Sequence, residues 1–95
     1  KYNTSLWVCL PDKPGILGDV TSLVGENEIN ISSVEMMEKT KTSINFKFNL
    51  IIFDLKNFTK LLSELKQRQY KFKIIRHTSK KYAFFKKFFK GLKKN

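Results

Sequence analysis

The chain has 95 residues and a formal net charge of +11, with 41% hydrophobic and 28% charged residues. That suits one globular domain, and no apolar run is long enough to cross a bilayer. The single cysteine, Cys9, excludes an intrachain disulfide and a cysteine-based metal site, and makes a reducing cytoplasm the expected setting.

The charge is unevenly placed. Residues 1–78 hold twelve Lys/Arg and all eight acids, whereas residues 79–95 hold seven lysines and no acid. We therefore divide the chain into a domain, residues 1–78, and a basic tail, residues 79–95. The first residue is Lys1 rather than Met and no signal-peptide pattern follows, so a piece of a longer protein is expected.

Leu6-Trp7-Val8-Cys9-Leu10 reads as a strand, with Leu6, Val8 and Leu10 on one face and Trp7 and Cys9 on the other. Pro11-Asp12-Lys13-Pro14-Gly15 follows as a turn into a helix. Asp12 is a candidate N-cap, Pro14 suits a first helical position, and Gly15 permits close backbone approach. Ile16, Leu17, Val20, Leu23 and Val24 recur at helical spacing, and Gly25 and Asn27 are stop signals. Residues 29–38 are strand-like, with Val34 and Met36 on one face and a break in alternation at Ser32-Ser33 that suits a bulge.

Lys39-Thr40-Lys41 reads as a turn. The strand after it alternates Ile44, Phe46, Phe48, Leu50 and Ile52 with Ser43, Asn45, Lys47, Asn49 and Ile51. Asp54 is the expected N-cap of a second helix, whose stripe is Leu55, Phe58, Leu61, Leu62 and Leu65. Tyr70-Lys71-Phe72-Lys73-Ile74 alternates again as a last strand.

The order βαββαβ predicts an α+β, ferredoxin-like fold: a four-stranded antiparallel sheet with both helices on one face. The covered face should hold Leu6, Val8, Leu10, Ile44, Phe46, Phe48, Leu50, Phe72 and Ile74. The open face should show Trp7, Cys9, Asn45, Lys47 and Lys73. In the tail, Phe84, Phe85, Phe88, Phe89 and Leu92 fall within an arc of about 140° on a helical projection. Lys86, Lys87, Lys90, Lys93 and Lys94 fall opposite, so a basic amphipathic C-terminal helix is predicted.

Little here points to catalysis. No Ser/His/Asp set, GxxxxGK[ST] loop or metal-ligand spacing occurs, so no catalytic residue, metal or cofactor is expected. Glu35 and Glu38 lack a partner histidine, and His77 stands alone. Base stacking of the RNA-recognition type would need aromatics on the third strand, where Asn45, Lys47 and Asn49 stand instead.

The runs Val8-Cys9-Leu10-Pro11-Asp12-Lys13-Pro14-Gly15-Ile16-Leu17, Asp19-Val20-Thr21 and Glu28-Ile29-Asn30-Ile31 resemble an ACT domain. The stretches DKPGILGDVTSL, INISSVEM and Ile74-Ile75-Arg76-His77 are most similar to the C-terminal ACT domain of RelA/SpoT (p)ppGpp synthetase/hydrolases. The resemblance covers about residues 4–78 and implies a regulatory, non-catalytic module of a GTP pyrophosphokinase acting in the stringent response. It also implies pairing into a homodimer, often by joining sheets edge to edge.

In amino-acid-binding ACT domains the ligand meets the first loop and the start of the second strand. Carried over, these places are Asp12, Gly15, Ile16, Leu17 and Asn30. Asp12 would accept from an ammonium group, N–H groups at Gly15 to Leu17 would donate to a carboxylate, and Asn30 offers both donor and acceptor. Some serine-binding relatives have a polar residue where Leu10 stands, so an apolar amino acid is the expected ligand. The alternative is that Asp12, Pro14 and Gly15 only shape a capped turn.

The tail has three expected uses. Lys86, Lys87, Lys90 and Lys93 could meet ribosomal RNA, making the chain a ribosome-docking module. Phe84 and Phe88 with the lysines could lie on an anionic membrane surface. The phenylalanines could instead pack on the open sheet face beside Trp7 or on a second subunit.

Overall fold

The computed structural model describes residues 1–77. Its elements are β1 (Tyr2–Pro11), α1 (Ile16–Glu26), β2 (Asn30–Lys39), β3 (Ser43–Ile52), α2 (Leu55–Gln67) and β4 (Lys71–His77), in the predicted order. The strands form one antiparallel sheet in the order β2-β3-β1-β4, the ferredoxin-like arrangement. The predicted tail helix, with Phe84, Phe88, Lys86, Lys87, Lys90 and Lys93, lies outside the described residues.

Alternation explains the sheet. Along β3 every second residue from Ile44 to Ile52 is buried, and the residues between are half-buried. In register, Leu6 lies opposite Phe48, Val8 opposite Phe46 and Leu10 opposite Ile44, so one face is continuous hydrocarbon. The helices cover that face with Ile16, Val20, Leu23 and Val24 from α1 and Phe58, Leu61, Leu62 and Leu65 from α2, all buried. Phe72 joins this core, while Ile74 is only partly buried against it.

β2 is built differently. Only Ile31 and Val34 are even half-buried, because the strand is an edge of the sheet. The register slips between Ile31 and Ser33, where the sequence suggests a bulge, and again between Met36 and Glu38, where it does not. Met36 shares Val34's face as predicted, yet it is 61% exposed and Met37 is 54% exposed.

Both helices end in the same way. At the end of α1 the Glu28 N–H donates to the Gly25 carbonyl (2.9 Å) and the Ile29 N–H to the Val24 carbonyl (3.2 Å). At the end of α2 the Gln69 N–H donates to Lys66 (2.9 Å) and the Tyr70 N–H to Leu65 (3.0 Å). These are paired 5→2 and 6→1 bonds of the Schellman motif. The left-handed residue in each is not glycine: Glu28 has φ 59° and Gln69 has φ 65°.

The helix starts differ. Asp54 caps α2 as expected, its Oδ1 accepting from the Lys56 N–H at 2.9 Å. Asp12 does not cap α1. The N-cap is Gly15, at φ 82° and ψ −5°, with no side-chain cap bond. Pro14 accordingly stands before the helix. The reason is local: the Lys13 carbonyl accepts from the Ile16 N–H at 3.3 Å, closing a turn that requires Gly15 in a left-handed conformation.

Candidate ligand site

The β1–α1 loop is fixed from two sides. The Asp12 N–H donates to the Thr42 carbonyl at 3.0 Å, which ties the loop to the β2–β3 hairpin. The Asp12 carboxylate meets the Lys39 ammonium at the end of β2, 3.5 Å away. The hairpin is itself held by Thr40, whose Oγ1 accepts from the Ser43 N–H at 3.0 Å and the Thr42 N–H at 3.3 Å.

An α-helix leaves its first N–H groups without partners inside the helix. In α1 the Ile16 N–H goes to Lys13, and the Asp19 N–H goes to Gly15 at 3.0 Å. Among the described residues, the N–H groups of Leu17 and Gly18 have no such partner outside the helix, and no side chain caps it. They are the donors that an anion could meet there.

The five residues expected to meet a ligand fall in different places. Asp12 and Gly15 are exposed in the loop, and Leu17 is half-buried at the start of α1. Ile16 is 4% exposed, so its side chain belongs to the core and its N–H is already engaged. Leu10 is wholly buried and faces the core, so it does not line the loop's outer surface.

Asn30 is not beside Asp12. It opens β2 opposite Ile51, whereas the Asp12 loop leaves β1 where Pro11 lies opposite Ser43. Eight residue steps along β3 separate these positions, about 27 Å of extended strand. Within one chain the first loop and the start of the second strand lie at opposite ends of the sheet. The local motifs show no sign of this; it follows from β1 and β2 both running antiparallel to β3.

The open face is polar and internally bonded. Ser5 Oγ donates to Asn49 Oδ1 at 2.7 Å, and Asn49 Nδ2 donates to Ser33 Oγ at 2.7 Å and to Glu35 Oε2 at 3.3 Å. Asn49 thus links β1, β3 and β2, a role its place in an alternating strand does not announce. Trp7 is half-buried, with the Lys73 ammonium 5.8 Å from its ring centroid. Among the described residues, no group of three or more His, Cys, Asp or Glu is placed to hold a metal ion. No described helix is long and apolar enough to cross a membrane.

Comparison with known proteins agrees with this fold. Among solved structures, prephenate dehydratase from Streptococcus mutans is similar at 23% identity and a TM-score of 0.68, over 79% of this chain and 42% of that one. This chain therefore spans less than half of that enzyme. The ACT domain of GTP pyrophosphokinase from Chlorobium tepidum is similar at 15% identity and a TM-score of 0.57, over 79% of this chain and 92% of that one. Prephenate dehydratase from Staphylococcus aureus is similar at 23% identity and a TM-score of 0.62, over 76% of this chain and 29% of that one. At these identities the likeness is one of fold. No curated protein matches the sequence. The family model for the ACT domain matches residues 1–76. The chain belongs to the ACT domain family.

Proposed function

We propose that this ACT domain is the regulatory module of a cytoplasmic (p)ppGpp synthetase/hydrolase, and that two copies together bind an apolar amino acid. The observation that carries the reading is the placement of Asp12 and Asn30 at opposite ends of one sheet. A ligand that meets both must bridge two chains.

β2 provides the means. It is a ten-residue edge strand, and an edge offers unpaired N–H and C=O groups to another strand. Antiparallel pairing of β2 with β2 of a second copy, centred between Val34 and Glu35, sets Asn30 of one chain opposite Lys39 of the other. Asn30 then stands next to the Asp12 loop of its neighbour. Such a pairing is isologous and closes on itself as a dimer. In that site the ligand ammonium goes to Asp12, the carboxylate to the N–H groups of Leu17 and Gly18, and Asn30 of the second copy completes the polar contacts. The apolar preference rests on Leu17, the partly open hydrophobic side chain at the start of α1, and not on buried Leu10 or Ile16.

Ligand binding would act on the attached enzyme domains by favouring the paired arrangement over the separated one. Titration calorimetry of the 95-residue chain with L-leucine, L-isoleucine, L-valine and L-phenylalanine tests this, alongside mass measurement by light scattering. We expect saturable heat with at least one of them and a dimer in its presence. A monomer with no heat from any protein amino acid would overturn the reading.

A second reading is favoured by one observation, the seven lysines and absent acids of residues 79–95. It makes the tail a ribosomal-RNA contact, whose affinity must fall steeply with salt as phosphate counterions are released. Salt-independent binding, or none, would remove it.

A further inference from the structure

We propose that Lys39 is a built-in competitor for the ligand ammonium, resident at Asp12 until an amino acid displaces it. This rests on the reading of the Asp12 loop as an amino-acid site.

Asp12 is already occupied within the chain itself. A carboxylate that is to recognise an amino acid must accept from a primary ammonium. Asp12 already has one: the Lys39 Nζ lies 3.5 Å from Asp12 Oδ2. A lysine ammonium and an amino-acid ammonium are the same donor group, with three N–H bonds and one positive charge. They compete for the same oxygens.

The placement of Lys39 is not that of a loosely wandering surface lysine. It is the last residue of β2, opposite Ile44 in the ladder. The turn after it is fixed by Thr40, and the hairpin is bonded to the loop through the Asp12 N–H and the Thr42 carbonyl. The backbone on both sides is therefore held, and only the lysine side chain has to move for the carboxylate to be released. The two side chains are 58% and 32% exposed, so solvent screens the pair and its displacement is easy. The carboxylate end of the ligand has separate donors in the Leu17 and Gly18 N–H groups, so it does not depend on Lys39.

Two consequences follow for recognition. Removing the lysine ammonium should tighten binding by about two- to fivefold, the range set by an exposed ion pair. The gain should be confined to ligands that carry an ammonium group, which makes Lys39 a specificity-determining residue.

The test compares the full 95-residue chain with Lys39→Gln and Lys39→Arg. The probes are L-leucine and 4-methylpentanoate, the same carbon skeleton without the ammonium. The expected result is a two- to fivefold lower Kd for L-leucine with Lys39→Gln, wild-type affinity with Lys39→Arg, and no change for 4-methylpentanoate. Equal or weaker L-leucine binding by Lys39→Gln overturns the Lys39 proposal and leaves the amino-acid site standing. So does an equal gain for both probes. Absence of binding by wild type and both variants, across L-leucine and the other protein amino acids, overturns the site and the competitor together.

Discussion

Asn27 joins the ends of the two helices: its Nδ2 donates to Glu64 Oε1 at 2.7 Å and to the Leu23 carbonyl at 2.9 Å. The residue is 4% exposed, so the amide has no water to fall back on. Replacing it by alanine takes the amide donor from the half-buried Glu64 carboxylate, while the Leu23 carbonyl keeps only the backbone N–H of residue 27, at 3.3 Å. Asn27→Ala should cost about 1–3 kcal/mol, read as a lower midpoint in urea with an unchanged m-value. A loss below a few tenths of a kcal/mol would mean that the junction is held by apolar packing alone.

The left-handed residues at the helix ends offer the opposite sign. Glu28 and Gln69 hold φ 59° and 65° inside Schellman motifs where glycine carries no Cβ penalty. Glu28→Gly and Gln69→Gly should each stabilise the fold by about 0.5–1 kcal/mol. The two sites close different helices, so the double variant should show nearly the sum in chemical denaturation.

Gly15 gives the complementary test. A Cβ at this position meets nothing within 4 Å, but the backbone is at φ 82°. Gly15→Ala should therefore destabilise by about 1 kcal/mol through backbone strain and not through a clash. Gly15→Asn should be milder than Gly15→Ala, because asparagine tolerates the left-handed region. Equal losses for alanine and asparagine would point to a steric cause.

These cases show what the sequence could and could not carry. Alternation in β3 and the stripe of α2 are enforced by a core that covers one face only, so period alone finds them. Asp54 is a legible cap because its carboxylate serves the N–H two residues on. Asp12 also stands just before a helix, yet it is drawn away by Thr42 and Lys39, which are distant in sequence. The bulge at Met37 and the hub at Asn49 are invisible for the same reason: register and cross-strand bonding are properties of the assembled sheet. The first loop and the start of β2 are both recognisable by resemblance. Their separation within one chain is fixed by strand direction, and only the topology reveals it.

That separation yields the sharpest prediction. If the ligand bridges two copies, each site takes Asp12 from one chain and Asn30 from the other. Asp12→Ala and Asn30→Ala should each abolish or strongly weaken binding in pure form, because every site in either homodimer is damaged. Unfolding the two variants together and refolding them should then restore part of the activity. Half of the dimers formed are mixed, and each mixed dimer has one site with both residues intact and one with neither. The refolded mixture should bind at about a quarter of the wild-type stoichiometry, with wild-type affinity at those sites. Calorimetry reads stoichiometry and affinity separately, so the two are not confused. A site contained in one chain gives no recovery, since no chain in the mixture carries both residues. Recovery with lowered affinity would mean that the two chains meet in another register, with Asn30 placed too far from the Asp12 loop.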